Sequence, residues 1–356
     1  MARRVRRTLG PLDHRSQAIL RAVIEEYVTT ATPVGSQALV ERYGLGVSSA
    51  TVRNILAELE MAGLLSHPHT SAGRVPTDAG YRLYVESLAD AMPLPAVEQL
   101  MIRHQFGQVE FASEHWFRLA ATTLAGLTRA AGLATPAKPR AAHIRRVDLV
   151  AVNERMASLI LVLREGSIKQ SAVSLDASDA VDQPTLNRVA ALLNDRLTDL
   201  TATRADQALA RLGPEDELER IARRVGERIV RILREYDAAA VEEVFSDGLL
   251  NVMAAPEFAQ SDKLRQVFTA LENRAYLGEL VADVASSGHI HLVIGAENPR
   301  AEMHGVSLVL APYGRPGRAI GVVGVLGPTR MGYAQAIGTV RFVSGLMNEL
   351  VDHLYA

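Results

Sequence analysis

The segment from Ser36 to Thr77 constrains this chain most tightly. Two short amphipathic helical patterns, a Gly44-Leu45-Gly46 turn and a strand–turn–strand follow one another with little slack. Ser36 is placed to cap the first pattern, Leu39 and Tyr43 point inward, and Gly44 is the stop. Ser48 caps the next, whose inward stripe is Val52, Ile55, Leu56 and Leu59, and Gly63 ends it. Leu64–His69 and Arg74–Pro76 read as two short strands, and Thr77 caps a further helix carrying Tyr81, Tyr84, Val85 and Leu88. Upstream, Asp13–Tyr27 repeats apolar residues at three and four positions, until Pro33 disfavours helix. Three short helices followed by a hairpin predict a winged helix-turn-helix.

Such a fold turns the outer face of its third helix toward a major groove. With the apolar stripe inward, Ser49, Thr51, Arg53 and Asn54 are left outside near the N-terminus. Arg can pair bidentately with guanine and Asn with adenine. Arg53 could instead bind phosphate, or pair with Glu58 or Glu60. The hairpin offers His67, His69, Thr70, Ser71 and Arg74, all suited to phosphate or a minor groove. His67 and His69 could instead form a pH-sensitive pair or metal ligands, although no third ligand is near them in sequence.

Net charge is −2, so whole-chain charge points to no polyanionic partner. Its distribution is uneven: residues 1–82 hold ten Arg against seven acids, four of those Arg lying at positions 3, 4, 6 and 7. They form either a phosphate-seeking arm or a solvated terminus, since Lys is rare throughout. Cysteine is absent, which excludes disulfides and thiolate metal sites. Neither a signal-peptide pattern nor an apolar run long enough to span a bilayer is present, so the expectation is a soluble cytoplasmic protein without membrane contact.

The 356 residues call for more than one domain. Met92–Pro95 reads as a linker. Helical periodicity runs from Val97 to about Ala131, with Trp116, Leu119, Thr123 and Leu127 on one face, and Pro136–Arg140 breaks it. The period then changes. Ile144–Val152, Ala157–Leu163 and Ser167–Leu175 predict a three-stranded antiparallel meander. Helical patterns through Leu186–Leu197 and Leu218–Tyr236 follow, then short helices to Gly288. Strands are expected at His289–Gly295, Val306–Tyr313 and Ala319–Leu326, and a last helix carries Tyr333 to Leu354. The overall class is α+β, multidomain.

The string from Pro33 to Val85 closely resembles the start of the HrcA family of heat-inducible repressors of chaperone genes. Its most specific run is Pro68–Thr77 with Gly80-Tyr81-Arg82 after it. A second match lies far away, at Gly327–Tyr333 preceded by Ile294–Asn298. The resemblance implies a winged helix-turn-helix over 1–90, a GAF-like domain over 96–139 and 237–356, and a dimerising domain with a three-stranded sheet and helices inserted at 140–236. It implies a homodimer on double-stranded DNA, at an inverted-repeat operator (CIRCE) upstream of chaperonin and related operons. It also implies a GroEL-type chaperonin as modulator. A two-fold protein on a two-fold site is the physical expectation as well.

Other signals are weaker. A GAF-like domain invites a metabolite-gated regulator as the alternative, although fold does not carry function. A third possibility is that the N-terminal helices bind a protein. His289 and His291 alternate on one strand and read as a structural pair. Gly321, Gly324 and Gly327 lack the dinucleotide-binding spacing. Gly327–Tyr333 reads as a strand-to-helix connection with Arg330 pairing inside its domain. With no nucleophile–base–acid arrangement visible, no enzyme, cofactor or metal is expected.

Overall fold

The computed structural model describes residues 12–68, 73–88, 92–109, 113–139, 141–164, 166–175, 182–213, 215–238, 243–258, 265, 267, 269, 273–315 and 319–355. The chain divides into two compact units: one of residues 1–136, 243–313 and 322–349, the other of residues 137–242, 314–321 and 350–356. The arginines at positions 3, 4, 6 and 7 and the hairpin residues His69, Thr70 and Ser71 lie outside the described residues.

The first unit begins with α1 (His14–Thr30), α2 (Ser36–Tyr43) and α3 (Ser49–Met61). Asp13 caps α1 by accepting the Ser16 N–H at 2.6 Å. Ile19, Leu20, Val23, Ile24, Leu39, Val52, Leu56 and Leu59 are all buried, as the helical periods require. The hairpin strands are shorter than expected: β1 (Leu65–Ser66) pairs antiparallel with β2 (Val75–Pro76). Val34 adds a third rung, exchanging two 2.8 Å backbone hydrogen bonds with Arg74. Thr77 caps α4 (Asp78–Leu83) through the Gly80 N–H at 3.1 Å.

The predicted helical run from Val97 is two helices, α5 (Ala96–Gln108) and α6 (Ser113–Thr128). The α6 face is also rotated from the expected one. Trp116, Phe117, Ala120, Ala121, Leu124 and Ala125 are buried, whereas Leu119, Thr123 and Leu127 are half-buried. The run ends in a strand that the periodicity did not mark, β3 (Ala131–Ala134). A Cβ at Gly132 would strike the backbone of Ala121, so the glycine allows β3 to lie close against α6.

Strand β3 belongs to a five-stranded sheet ordered β7-β3-β10-β9-β8. Its other members are β7 (Phe245–Asp247), β8 (His291–Ile294), β9 (Val306–Arg315) and β10 (Ala319–Pro328). Most residues of β9 and β10 are buried irrespective of parity, as in a sheet covered on both faces. Leu133, Phe258, Tyr276, Val284, Met303, Val306, Leu308 and Leu326 form one core cluster. The closing helix Tyr333–Tyr355 buries Val340, Val343 and Met347.

In the second unit the meander forms as expected: β4 (Ile144–Asn153), β5 (Met156–Leu163) and β6 (Ile168–Ser174), antiparallel in that order. Its core holds Val147, Leu149, Leu159, Leu161 and Leu163 against α7 (Gln183–Leu197) and α9 (Glu217–Ala238). A further helix, α8 (Ala202–Leu209), lies between them in sequence. Side-chain amides cover the outer edge of β4. Asn194 accepts from the Val147 N–H at 2.8 Å and donates to its carbonyl at 2.7 Å. Gln183 does the same with the Ala151 N–H and the Leu149 carbonyl. An edge satisfied this way is closed to strand addition. The opposite face of this sheet leaves Val150, Met156 and Ile168 exposed.

Candidate nucleic-acid interface

Helix α3 is held from within and left open outside. Ser48 accepts the Thr51 N–H at 3.2 Å, and its hydroxyl lies 3.0 Å from that of Thr51. Ser36 does not cap α2 as its position suggested: Gly35 is the N-cap residue, with no side-chain hydrogen bond. The Ser36 hydroxyl instead sits 2.9 Å from that of Ser49, tying the starts of α2 and α3 together. Two expected DNA contacts, Ser49 and Thr51, are therefore half-buried and engaged in holding the helix start.

Arg53 and Asn54 are exposed, and no hydrogen bond or ion pair joins either to another of the described residues. The alternative partner Glu60 is engaged elsewhere. It lies 2.7 Å from the Arg74 guanidinium and also contacts His67 Nδ1. The two described hairpin side chains, Arg74 and His67, thus converge on one carboxylate at the end of α3, and the Arg74 side chain is only 25% exposed. No periodic signal pointed to Glu60. Its partners are set by where the hairpin returns to α3.

The approach of α2 to α1 is fixed by a buried acid. Glu26 is 8% exposed and binds the Arg42 guanidinium, with the Tyr43 hydroxyl 3.4 Å away. Burial, reinforced by the Glu26 and Glu25 charges, pushes the Tyr43 phenol up to about 12. It stays a neutral donor at any ordinary pH. The result is a rigid platform on which the outer turn of α3 presents Arg53 and Asn54 beside a capped N-terminus, whose free N–H groups favour phosphate.

Among the described residues no three His, Cys, Asp or Glu side chains gather as metal ligands, and no helix is long and apolar enough to cross a membrane. His289 precedes β8, and His291 lies within it.

Residues 114–337 match the family model described as the HrcA protein C terminal domain. Over 346 residues the chain is 40% identical to the heat-inducible transcription repressor HrcA of Roseiflexus castenholzii, covering 97% of this chain and 96% of that one. It is 39% identical to the repressor of the same name from Chloroflexus aurantiacus over 360 residues, with coverage of 97% and 95%. The repressor of that name from Herpetosiphon aurantiacus is 40% identical, with coverage of 97% and 96%. A crystal structure described as that of a hypothetical protein superposes with a TM-score of 0.62 at 22% identity, covering 97% of this chain and all of the other.

Proposed function

This chain belongs to the HrcA family of heat-inducible transcription repressors, and from that premise we propose how it works as a negative regulator of heat-shock gene transcription. Residues 1–90 are a winged helix-turn-helix that reads an operator through α3. Residues 96–139 and 237–356 form a GAF-like domain, and 140–236 an inserted dimerising domain. The protein acts in the cytoplasm as a homodimer on an inverted-repeat operator of the CIRCE kind, upstream of chaperonin and related chaperone operons. The observation that carries the reading is the exposed Arg53–Asn54 pair on a capped, core-anchored helix beside a two-stranded hairpin.

Arg53 and Asn54 are assigned to base edges, one half-site per protomer. Ser49 and Thr51 order the helix start and offer their hydroxyls to the flanking backbone. His69, Thr70 and Ser71 are assigned to phosphate or the minor groove, and Arg74 and His67, engaged with Glu60, are assigned to hold the base of the hairpin beside it. Dimerisation is assigned to the second unit, whose sheet leaves Val150, Met156 and Ile168 exposed on one face. A GroEL-type chaperonin keeps the repressor active, and misfolded protein titrates it away. The family is one of repressors, which is not an enzyme class.

Gel-shift titration across salt tests the reading. The protein must prefer an inverted repeat over scrambled DNA and show a steep salt slope. Equal affinity for both duplexes overturns it. Sequencing the bound DNA gives half-site spacing and target genes together. Added chaperonin must raise operator occupancy. A large saturable thermal shift with a metabolite, without chaperonin, points to effector gating instead.

A further inference from the structure

Two strings singled out by sequence, Gly80-Tyr81-Arg82 and Ile294–Asn298, lie far apart in the chain and meet in the first unit. Arg82 on α4 grips Glu297 bidentately: its Nε donates to Oε1 at 2.8 Å, and an Nη donates to Oε2. The same Nη2 donates to the Leu292 carbonyl of β8 at 2.9 Å. Glu297 is braced from the sheet side by the Ile294 N–H at 2.9 Å. Beside this pair the Asp78 carboxylate accepts the Ala296 N–H at 2.8 Å. Gly295 sits between them at φ +48°, and a Cβ there would meet the Asp78 carboxylate. Only glycine satisfies both the backbone conformation and the close approach.

The other distant string joins from the far end. Tyr81 packs on Tyr333 with ring centroids 5.6 Å apart, and both are buried. Arg330 pairs with Glu257 inside the sheet-bearing part, as its sequence position suggested. It also donates to the Val28 carbonyl of α1 at 3.2 Å, which that position did not suggest. The N-terminal part, α1 to α4, is therefore held to the sheet-bearing part by a bidentate ion pair, a carboxylate–amide bond and an aromatic contact from α4, and a guanidinium–carbonyl bond to α1. A paired fork of this kind fixes orientation as well as distance.

We propose that Asp78, Arg82, Gly295 and Glu297 form a docking lock that sets the pose of the DNA-reading head. They are positioning residues, acting on DNA only through the placement of α3. Each head is then presented at one angle, and the repressor accepts one operator half-site spacing rather than a range. The inference rests on the reading that the head binds an inverted repeat.

The test combines two readouts in the full-length protein. The chain has no cysteine, so Met61→Cys on α3 and Glu302→Cys in the sheet-bearing part give a unique spin-label pair at exposed positions. Doubly labelled chains diluted with unlabelled ones report the intramolecular distance without DNA. The expected result is a narrow distribution that broadens in Glu297→Gln and in Gly295→Ala. Glu297→Gln removes charge with little change of shape, and Gly295→Ala inserts a wedge without touching the ion pair. In parallel, each protein is titrated with single half-site duplexes and with inverted repeats of graded spacing. The variants are expected to keep half-site affinity and lose the spacing optimum. A distribution that stays narrow, or a spacing optimum that survives in both variants, overturns the lock. Failure of the wild-type protein to bind any half-site overturns the operator reading, and the positioning role falls with it. The label distances then still report whether the head is held.

Discussion

The outer face of α3 and the base of the hairpin carry polar side chains suited to the same contacts and treat them differently. On α3, Arg53 and Asn54 are exposed and unengaged among the described residues. At the base of the hairpin, Arg74 and His67 are gathered onto Glu60. An exposed guanidinium gives up only water when it meets a base or a phosphate. A paired one must first give up its carboxylate, which offsets much of the gain. These polar side chains thus divide into an unengaged pair and a braced pair, and the division follows from where one glutamate stands.

The sharpest way to break this contrast is at α3. Arg53→Ala is expected to cost about 1–3 kcal/mol of operator binding and to relax preference at one position per half-site. Binding-site selection with the variant checks it. A uniform loss over all sequences would make Arg53 a phosphate contact and bring it closer to the wing group.

Ser48→Ala removes the cap that orders the start of α3 and is expected to cost about 1 kcal/mol of stability. Chemical denaturation measures it. The wing contrast is sharpened by a two-background comparison. Arg74→Ala alone should leave the salt slope nearly unchanged, because Glu60 already neutralises the guanidinium. In a Glu60→Gln background the freed Arg74 should add to the slope, and Arg74→Ala should then lower it by about 1. Equal slope changes in both backgrounds would mean that Arg74 leaves Glu60 on binding DNA.

The smallest effect is in acid. Burial alone would raise the Glu297 carboxyl, but the Arg82 hydrogen bond and the Ile294 N–H outweigh it and hold it below the ordinary carboxylate range. A carboxylate lowered on folding contributes stability that is present above its unfolded pKa and lost as pH falls through the folded one. Stability should therefore decline below the usual carboxylate range, and Glu297→Gln should flatten part of that decline. Thermal melts on an acid pH series read the difference.

The same division separates what was readable in the chain from what was not. The phase of α3 was readable because Val52, Ile55, Leu56 and Leu59 repeat with the helix and are all buried. The Ser48 and Thr77 caps were readable because capping is a contact between near neighbours in sequence. Strand β3 was not. Ala131-Gly132-Leu133-Ala134 has no β-branched residue, and it is a strand because β10 and β7 pair with it on either side. The inward face of α6 was misplaced for a related reason: small Ala120, Ala121 and Ala125 are buried where β3 comes close, and size gave no hint of it. Ser36 looked like a cap until its hydroxyl met Ser49 from the next helix.

By itself, then, the sequence determined the local elements of the head, their caps, the side of α3 that carries Arg53 and Asn54, and the family to which the whole chain belongs. These depend on periodicity, short-range hydrogen bonds and literal strings. Only the tertiary structure decided that Glu60 holds Arg74 and His67 of the hairpin, that Arg330 reaches the carbonyl of Val28, and that Arg82 closes on Glu297. The last two join groups far apart along the chain, and the first depends on where the hairpin folds back onto α3. Pairing at such separations follows from how helices and strands pack, which no local pattern encodes.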